Sequence, residues 1–384
     1  MDAYRSSWGP RSLGIRSWGF PRRARSPLVT ASRFANSLSI VSLAVASFAA
    51  ALLMGGGGAH AQSAESFYKG KNLRLIIPSG AGGGYDAYSR LLGRHIGNHV
   101  PGKPTIVVEN MPGASGIRGT NYLYSVAPKD GTVMGSTYNN LIVEPLLGNT
   151  QAGWDSRKFE WIGSMTTQYN SCMVWGTSPI KTIEDAKKEE VKVSTTGLSG
   201  NSAKTPLELN MLLGTKFKVI SGYSTTDMRL AVERGEVDGI CGLSYDTYEA
   251  ANPDWLEHKR IRFILQTGAK PNPKIADVPL LTDLIKDPKE KQALQVLGVG
   301  EEVGRPHMFP PGTPKYLVAA LRRAFDATMK DAKFLDDAKR MHIEPDPMTG
   351  EQCEAAIVEA YKAPKDVVAL AAKLWPVATP GAKD

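Results

Sequence analysis

One segment of this chain is especially informative: Leu73-Arg74-Leu75-Ile76-Ile77-Pro78-Ser79-Gly80-Ala81-Gly82-Gly83-Gly84-Tyr85-Asp86. It runs from an apolar stretch through a glycine-rich loop into residues 86–99, where apolar side chains recur at helical spacing. This order predicts a strand, a loop and a helix. Glycine lets the backbone approach a ligand closely, and the free N–H groups of a first helical turn attract an anion. The candidate ligand contacts in this loop are Ser79, Gly82, Gly83, Tyr85 and Asp86.

A dinucleotide-binding loop is the main alternative interpretation of this glycine-rich segment. A GxGxxG pattern that starts at Gly80 fails at Tyr85, whereas one that starts at Gly82 ends on Ala87, a tolerated variant. Glu109 also stands at about the spacing of a ribose-binding carboxylate. The P-loop pattern lacks its Gly-Lys-Ser/Thr ending. An anion-facing loop is favoured over a bare turn, because four glycines in five positions exceed what a turn needs.

Strand and helix patterns alternate along the rest of the chain, and residues 314–375 are almost entirely helical in pattern. The further strands are predicted at 105–108, 131–136, 172–175, 191–195, 217–220, 237–241 and 261–266. Such alternation predicts the α/β class, with mainly parallel sheets flanked by helices. The length suffices for two lobes, and ligands of such sheets bind beyond the carboxyl ends of the strands.

Polar residues of the same kind follow other predicted strands. The candidates are Gly113, Ala114, Ser115 and Gly116 in a second loop, Thr137 and Asn139 after the third strand, and Thr196, Gly197, Asn201 and Asp246 in the second region. Backbone N–H groups and hydroxyls suit a carboxylate, and we expect them to need no buried lysine or arginine. Ser115 is equally suited to capping a helix, which is compatible with ligand contact. For Asp246, a ligand hydrogen bond and a helix cap stay open as alternatives.

The charge distribution argues against nucleic acid as a partner. Residues 1–61 contain seven arginines and one acid, so they account for +6 of the formal charge of +8. An uncharged apolar run, 38–54, and Ala59-His60-Ala61 follow the basic stretch, which is typical of a signal peptide cleaved near Ala61. A retained membrane anchor is the less favoured alternative. The sequence therefore predicts an exported, periplasmic protein.

No catalytic or metal-binding pattern stands out. The histidines are scattered, no GxSxG motif occurs at a strand–helix turn, and no cysteine spacing indicates a metal site. The sequence thus predicts neither an enzyme nor a cofactor. Cys172 and Cys241 are candidates for a disulfide, since both lie in or beside predicted strands of one region, and two buried thiols are the alternative.

Several motifs occur in the order found in one transport family. They are residues 71–78 with 82–86, residues 107–116, Ala127-Pro128-Lys129-Asp130-Gly131, Gly235-Glu236-Val237-Asp238, Ala276-Asp277-Val278-Pro279 and Pro310-Pro311-Gly312-Thr313-Pro314. In this order they resemble the landmarks of the tripartite tricarboxylate transporter receptors of the Bug or TctC type. The resemblance covers nearly all of residues 67–375. It implies a type II periplasmic-binding fold whose lobes close on a small carboxylate, and a membrane permease with a large and a small subunit as partner. A monomer is expected.

The resemblance also implies roles for particular residues. In the family, the first two glycine loops hold a ligand carboxylate, a role that falls here on the candidates of those loops, and the second lobe supplies Thr196, Gly197, Asn201 and Asp246. The chain departs from the family pattern at Tyr85, at Lys204, near which a histidine is often seen, and in the longer, more charged segment 284–304.

The predicted domain division is a leader at 1–61, lobe one at 67–164 and 262–384, and lobe two at 165–261. The function that follows is a solute-binding receptor that passes its ligand to a transporter. Two alternatives remain at this point. One is a periplasmic hydrolase or transferase on a similar scaffold, which would need a nucleophile–base pair in the cleft. The other is a receptor that signals without transport.

Overall fold

The structure is a computed structural model, which describes residues 63–197, 200–268 and 270–375. The predicted leader and its cleavage site lie outside these residues. Among the helices within them, none combines the length and the apolar character needed to cross a bilayer.

In the described residues, eleven strands form two sheets, and helices connect them. The strands are β1 (Asn72–Ile77), β2 (Thr105–Asn110), β3 (Val133–Ser136), β4 (Glu160–Ser164), β5 (Asn170–Trp175), β6 (Val191–Thr195), β7 (Phe217–Ser221), β8 (Gly239–Ser244), β9 (Ile261–Gln266), β10 (Pro306–Phe309) and β11 (Met348–Thr349). The helices are α1 (Ala64–Tyr68), α2 (Gly84–Ile96), α3 (Ile117–Ser125), α4 (Ile183–Lys188), α5 (Asn201–Leu213), α6 (Thr225–Glu233), α7 (Tyr245–Ala251), α8 (Pro253–Glu257), α9 (Leu281–Leu284), α10 (Pro288–Val303), α11 (Lys315–Thr328), α12 (Ala332–Arg340), α13 (Gly350–Ala360) and α14 (Lys365–Leu374).

The first sheet has the strand order β11-β4-β10-β3-β1-β2. Strand β1 pairs in parallel with β2 and β3, whereas β10 runs antiparallel between β3 and β4. The second sheet has the order β7-β6-β8-β5-β9, in which β6 pairs in parallel with β7 and β8 and β5 is antiparallel to both of its neighbours. The first sheet thus contains the parallel group β1, β2 and β3 with the reversed strands β10 and β11, and the second contains the parallel group β6, β7 and β8 with the reversed strand β5.

Strands β5 and β10 are the first strands formed after each crossing between the sheets, and both run against the parallel group that they join. The chain leaves the first sheet after β4 and enters the second at β5, and it returns from β9 to the first at β10. Most strands of each sheet run in one direction, as predicted, and the antiparallel neighbours make both sheets mixed. The α/β class with helices flanking two sheets is confirmed.

The second crossing lies later than the sequence indicated. Strand β9 pairs with β5 in the second sheet, so residues 262–266 lie there and not in the first lobe, where the predicted division had placed them. Helix α10, in the segment that departs from the family pattern, packs on both sheets. Its Val296 and Val299 join the core of the first sheet, and its Leu294 joins a core of the second.

The second sheet also contains a covalent link. Cys172 of β5 and Cys241 of β8 are partners in the antiparallel pairing and are joined by a disulfide. Both residues are fully buried in one of the two hydrophobic clusters that cover this sheet. Cys353 is a free cysteine buried in the core of the first sheet.

Candidate functional site

A cleft of about 250 Å³ lies between the two sheets. Its wall is formed by Ser79, Gly83, Gly84, Tyr85, Ser115, Tyr138, Asn139, Asn140, Gln168, Asn170, Thr196, Gly200, Asn201, Ser202, Gly242, Leu243, Ser244, Thr247 and Arg305. Most of these residues follow β1, β2, β3, β6 and β8, or lie at the ends of those strands. The cleft is therefore at the carboxyl ends of the parallel strands, where α/β sheets bind ligands.

The first glycine loop contributes four residues to this wall, and Asp86 holds the loop from behind. The carboxylate of Asp86 accepts hydrogen bonds from the backbone N–H of Gly82 at 2.9 Å, from Arg90 Nε at 2.9 Å and from Asn110 Nδ2 at 2.8 Å. Burial raises the pKa of Asp86, but these hydrogen bonds and the charge of Arg90 bring it below its usual value. Gly82 and Asp86, both candidates from the sequence, are not on the wall and instead hold Ser79 and Gly83 in place.

The second loop places Ser115 at the cleft, and its backbone has an unusual conformation. Gly113, Ala114, Ser115 and Gly116 all have positive φ, with values of 45° and 49° at the two non-glycine residues. Such conformations are costly and occur preferentially at functional sites. Gly116 is needed here, because a Cβ atom would collide with the ring of Tyr138. Gly113, Ala114 and Gly116 are thus off the wall and set the direction of Ser115.

After β3, the two candidates have different surroundings. Asn139 is on the wall, whereas Thr137 is buried behind it, where its hydroxyl lies 2.9 Å from that of Thr120. The backbone N–H of Asn139 donates to the hydroxyl of Tyr85 at 2.9 Å. This contact ties the end of β3 to the glycine loop after β1.

On the second sheet, Thr196 and Asn201 are on the wall and Gly197 is not. Asp246 also lies off the wall, in the first turn of α7, whose N-cap residue is Ser244. Its Oδ2 atom accepts a hydrogen bond from Tyr88 OH at 3.0 Å and lies 3.6 Å from Arg305 Nη2. Asp246 therefore pairs with a cleft residue of the other sheet, which neither of the alternatives drawn from the sequence describes.

Arg305 is the principal residue of the cleft that the sequence did not reveal. Its side chain is 4% exposed. The guanidinium carries five N–H donors, but among the described residues its buried Nε has no partner, and its ion pair with Asp246 is loose, with 3.6 Å between Nη2 and Oδ2. The expectation that no buried arginine is needed is therefore wrong as a description of this cleft.

Aromatic rings and a glycine hold the guanidinium in place. It lies 4.2 Å from the ring centroid of Tyr85 and 5.0 Å from that of Tyr88, distances at which cation–π attraction operates. A Cβ atom on Gly84 would be 3.0 Å from Nη2, which is closer than an ordinary van der Waals contact. Glycine at this position therefore allows the observed position of the guanidinium. Burial lowers the pKa of Arg305, whereas Tyr85, Asp246 and Tyr88 raise it above its ordinary value. The group is a fixed positive charge.

Tyr85, one of the departures from the family pattern, thus packs inside the wall. Its hydroxyl lies 3.1 Å from Asn139 Oδ1 and 3.2 Å from Gln168 Oε1, and its ring meets that of Tyr138 edge to face. Burial raises the pKa of Tyr85 to about 12, although the charge of Arg305 lowers it. The phenol is therefore neutral and serves as a platform for the guanidinium.

A buried ion pair links α5 to the segment that follows β3. Lys204 of α5 and Glu144, which follows β3, are both 2% exposed at the side chain, and Nζ lies 2.5 Å from Oε1. Asn149 Nδ2 donates to the second oxygen of Glu144 at 2.8 Å, and the ring of Trp375 lies under the ammonium group at 5.1 Å. Lys204, which stands near the position of an often-seen family histidine, thus joins the two halves of the molecule.

One serine–histidine contact bears on the enzyme alternative. Ser89 Oγ lies 3.2 Å from His307 Nε2. Both side chains are 1% exposed, and neither is on the wall of the cleft. Burial lowers the pKa of His307 to about 3, so the ring is neutral. Among the described residues, no group of three or more His, Cys, Asp and Glu side chains is arranged to hold a metal ion.

Comparisons with known proteins agree with this geometry. No family model matches the chain. A curated relative, described as a UPF0065 protein in the gbd 5′ region of Cupriavidus necator, is 26% identical over 333 residues, which are 83% of this chain and 93% of that protein.

Solved structures share the fold over most of the chain. A TctC solute-binding protein from Polaromonas superposes with a TM-score of 0.60 at 20% identity, covering 80% of this chain and 99% of that one. The periplasmic binding protein BugD gives 0.60 at 23% identity, covering 80% and 98%. MatC from Rhodopseudomonas palustris, solved with bound malate, gives 0.58 at 18% identity, covering 78% and 99%.

The two-lobed fold of periplasmic binding proteins is therefore shown for this chain. The resemblance to receptors of the Bug or TctC type, predicted from the ordered motifs, is confirmed by these neighbours and by the curated relative. The three structures compared are named as solute-binding proteins or contain a bound small molecule, and none of their names describes an enzyme.

Proposed function

We propose that this protein is a periplasmic solute-binding receptor that captures a small carboxylate between its two lobes. The observation that carries the proposal is Arg305. Burying a guanidinium with Asp246 only loosely paired to it and Nε without a partner among the described residues costs free energy, because the group has lost its water. A ligand carboxylate would accept two of its N–H groups at once.

The neighbouring donors suit the same anion. Ser79 Oγ is buried at the cleft wall near the hydroxyl of Tyr138, and it makes no well-aligned hydrogen bond with the described residues. The first helical turn of α2, at Gly84 and Tyr85, adjoins it. Ser115 approaches from the second loop. A carboxylate bound among these groups loses its hydrating water and gains hydrogen bonds from fixed donors, some charged and some neutral.

We propose closure of the lobes as the mechanism of capture. Lobe one is built on the first sheet and lobe two on the second, and the hinge comprises 165–169 and the segment between β9 and β10. Contacts such as Tyr88 with Asp246 join the lobes across the cleft. A ligand that contacts both walls shifts the open–closed equilibrium toward the closed state.

The cellular role follows from the same proposal. The leader directs export, cleavage near Ala61 leaves a monomer in the periplasm, and the closed receptor docks on the two membrane subunits of a tripartite tricarboxylate-type transporter. The protein then acts without a cofactor and without chemistry on its ligand. The malate bound to MatC supports the carboxylate class.

Isothermal titration of the mature protein with mono-, di- and tricarboxylates, aromatic acids and neutral analogues tests the proposal. Each charge-assisted hydrogen bond contributes about 1.5–3 kcal/mol, so Arg305→Gln should weaken binding of the best acid by about a hundredfold or more. Arg323→Gln, which changes an exposed arginine, is the matched control and should bind as the unmodified protein does. Ser115→Trp should block the cleft.

Two results would argue against a receptor. Turnover of any bound acid would favour the enzyme alternative, and absence of binding by every acid would exclude carboxylates as the ligand class. Uptake of the labelled acid by cells should require both this protein and the membrane subunits. Uptake that persists without the membrane subunits would contradict the assigned partner.

A further inference from the structure

A second, smaller cavity lies directly behind the cleft. Its volume is about 40 Å³, and it shares Asn139, Asn140 and Asn201 with the cleft wall. A water-sized probe needs about 10–15 Å³, so the cavity accommodates about three water molecules or one small functional group. The shared wall residues place the two spaces next to each other.

Two carboxyl groups and an amide oxygen are among the groups that line this cavity. Glu208 of α5 is 4% exposed, and its carboxyl group makes no hydrogen bond with any described residue. Glu301 of α10 accepts hydrogen bonds at Oε1 from Asn170 Nδ2 at 2.5 Å and from Thr267 Oγ1 at 3.3 Å, which leaves Oε2 without one. Asn201 Oδ1 is buried and has no hydrogen-bond partner among the described residues. Three side chains thus each offer an oxygen.

No described side chain supplies the matching positive charge. Lys204, one turn before Glu208 on the same helix, is held by Glu144. Trp375 Nε1 is a donor without a partner on the cavity wall, but one neutral donor cannot balance two carboxyl groups. Burial, together with the charge of Glu301, raises the pKa of Glu208 to about 8, and burial raises that of Glu301 to about 7. The carboxyl groups therefore retain protons near neutral pH when no cation is present.

We propose that this cavity is a subsite for the primary ammonium group of the ligand, whose carboxylate is held by Arg305. The three acceptors match the three N–H donors of an ammonium group. The inference rests on the proposed function and narrows it: the ligand is a short amino acid whose amino group is separated from its carboxylate by the distance between cleft and cavity.

Matched sets of straight-chain acids test the inference in the mature protein. Each set contains an ω-amino acid, the plain monocarboxylate and the dicarboxylate of equal carbon number, from three to six carbons. We expect one ω-amino acid to bind about tenfold or more tightly than its plain analogue at pH 7. Glu208→Gln should reduce this ratio to about one, whereas Glu190→Gln, at an exposed carboxylate, should preserve it.

Proton release gives a second readout that needs no variant. An ammonium group entering the cavity should displace protons from Glu208 and Glu301, the two ionisable groups that line it, while Lys204 and Glu144 behind it remain paired. Titration in two buffers of different ionisation enthalpy should show this release for the ω-amino acid and not for the plain acid. A release of equal size for both ligands would contradict the inference.

The remaining outcomes separate this inference from the proposed function. If plain acids or dicarboxylates bind as tightly as the ω-amino acids, the ammonium subsite is refuted and the carboxylate receptor stands. If sodium, potassium, magnesium or calcium ions alone raise the melting temperature in a Glu208-dependent manner, and amino acids show no preference, the cavity binds a metal ion and the inference is wrong. If no acid of any kind binds, both proposals fail.

Discussion

Replacement of Glu208 by glutamine tests whether a neutral carboxylic acid is buried beside the cleft. Glutamine has nearly the same shape as a protonated glutamate but does not titrate. The pKa of Glu208 is raised from 4.5 to about 8 because the side chain is buried and Glu301 lies nearby. Between these two values, the folded protein holds a proton that the unfolded chain has lost.

The sign and size of the effect follow from this difference. A folded state that binds more protons than the unfolded state loses stability as the pH rises, so the cost of Glu208 is absent below pH 4.5 and grows until about pH 8. At pH 7 the interval above the unfolded pKa is about 2.5 units, which corresponds to a cost on the order of 3 kcal/mol. Glu208→Gln should remove it.

Urea denaturation without ligand, followed by tryptophan fluorescence, measures the outcome. At pH 7 the variant should be more stable than the unmodified protein by about 3 kcal/mol, and at pH 4.5 the two should be nearly equal. Glu190→Gln, at an exposed site, should show no such trend. A variant that is equally stable or less stable at both pH values would refute the reasoning, because it would mean that Glu208 is ionised and paired in the folded protein.

Two further predictions concern the ion pair and the guanidinium. Lys204→Met leaves the carboxylate of Glu144 buried without its cation, which should lower the free energy of unfolding by about 3–5 kcal/mol. Adding Glu144→Gln should restore part of this loss in urea denaturation, and a single variant as stable as the parent would contradict the ion pair. Gly84→Ala places a Cβ atom 3.0 Å from Arg305 Nη2 and should weaken carboxylate binding about tenfold, because hydrogen bonds weaken steeply with distorted geometry. Gly80→Ala is the control, because a Cβ atom there meets open space, and calorimetry should find its carboxylate affinity unchanged. Equal affinities for the two variants would show that the position of the Arg305 guanidinium does not depend on Gly84.

Local patterns in the sequence were sufficient for much of the fold. The strand at 261–266 and the helix at 183–188 were predicted with the bounds that the structure shows, since their apolar residues recur at strand or helix spacing. The glycine loops were also visible, because glycine-rich segments between a strand and a helix have few other uses. Those loops do bring Ser79, Gly83, Tyr85 and Ser115 to one cleft.

Other elements had no such local signal. Strands β4 and β10 were not predicted, because all their residues are buried and a short buried strand shows no alternation. The antiparallel position of β10 depends on which distant strands it meets. Arg305 was missed because β10, which it immediately precedes, was not predicted. The single charged residue between Gly304 and the segment Pro306–Phe309 is nevertheless a signal of a buried functional side chain.

The sequence by itself determined the alternation of strands and helices, the positions of the glycine loops and the resemblance to a receptor family. Only the tertiary structure decided that Arg305 lies on Tyr85 and near Asp246, and that Glu208 and Glu301 line one cavity. The physical reason is distance along the chain. Spacing within a segment reveals which face of it is buried, whereas contacts between remote segments are set by packing of the whole fold.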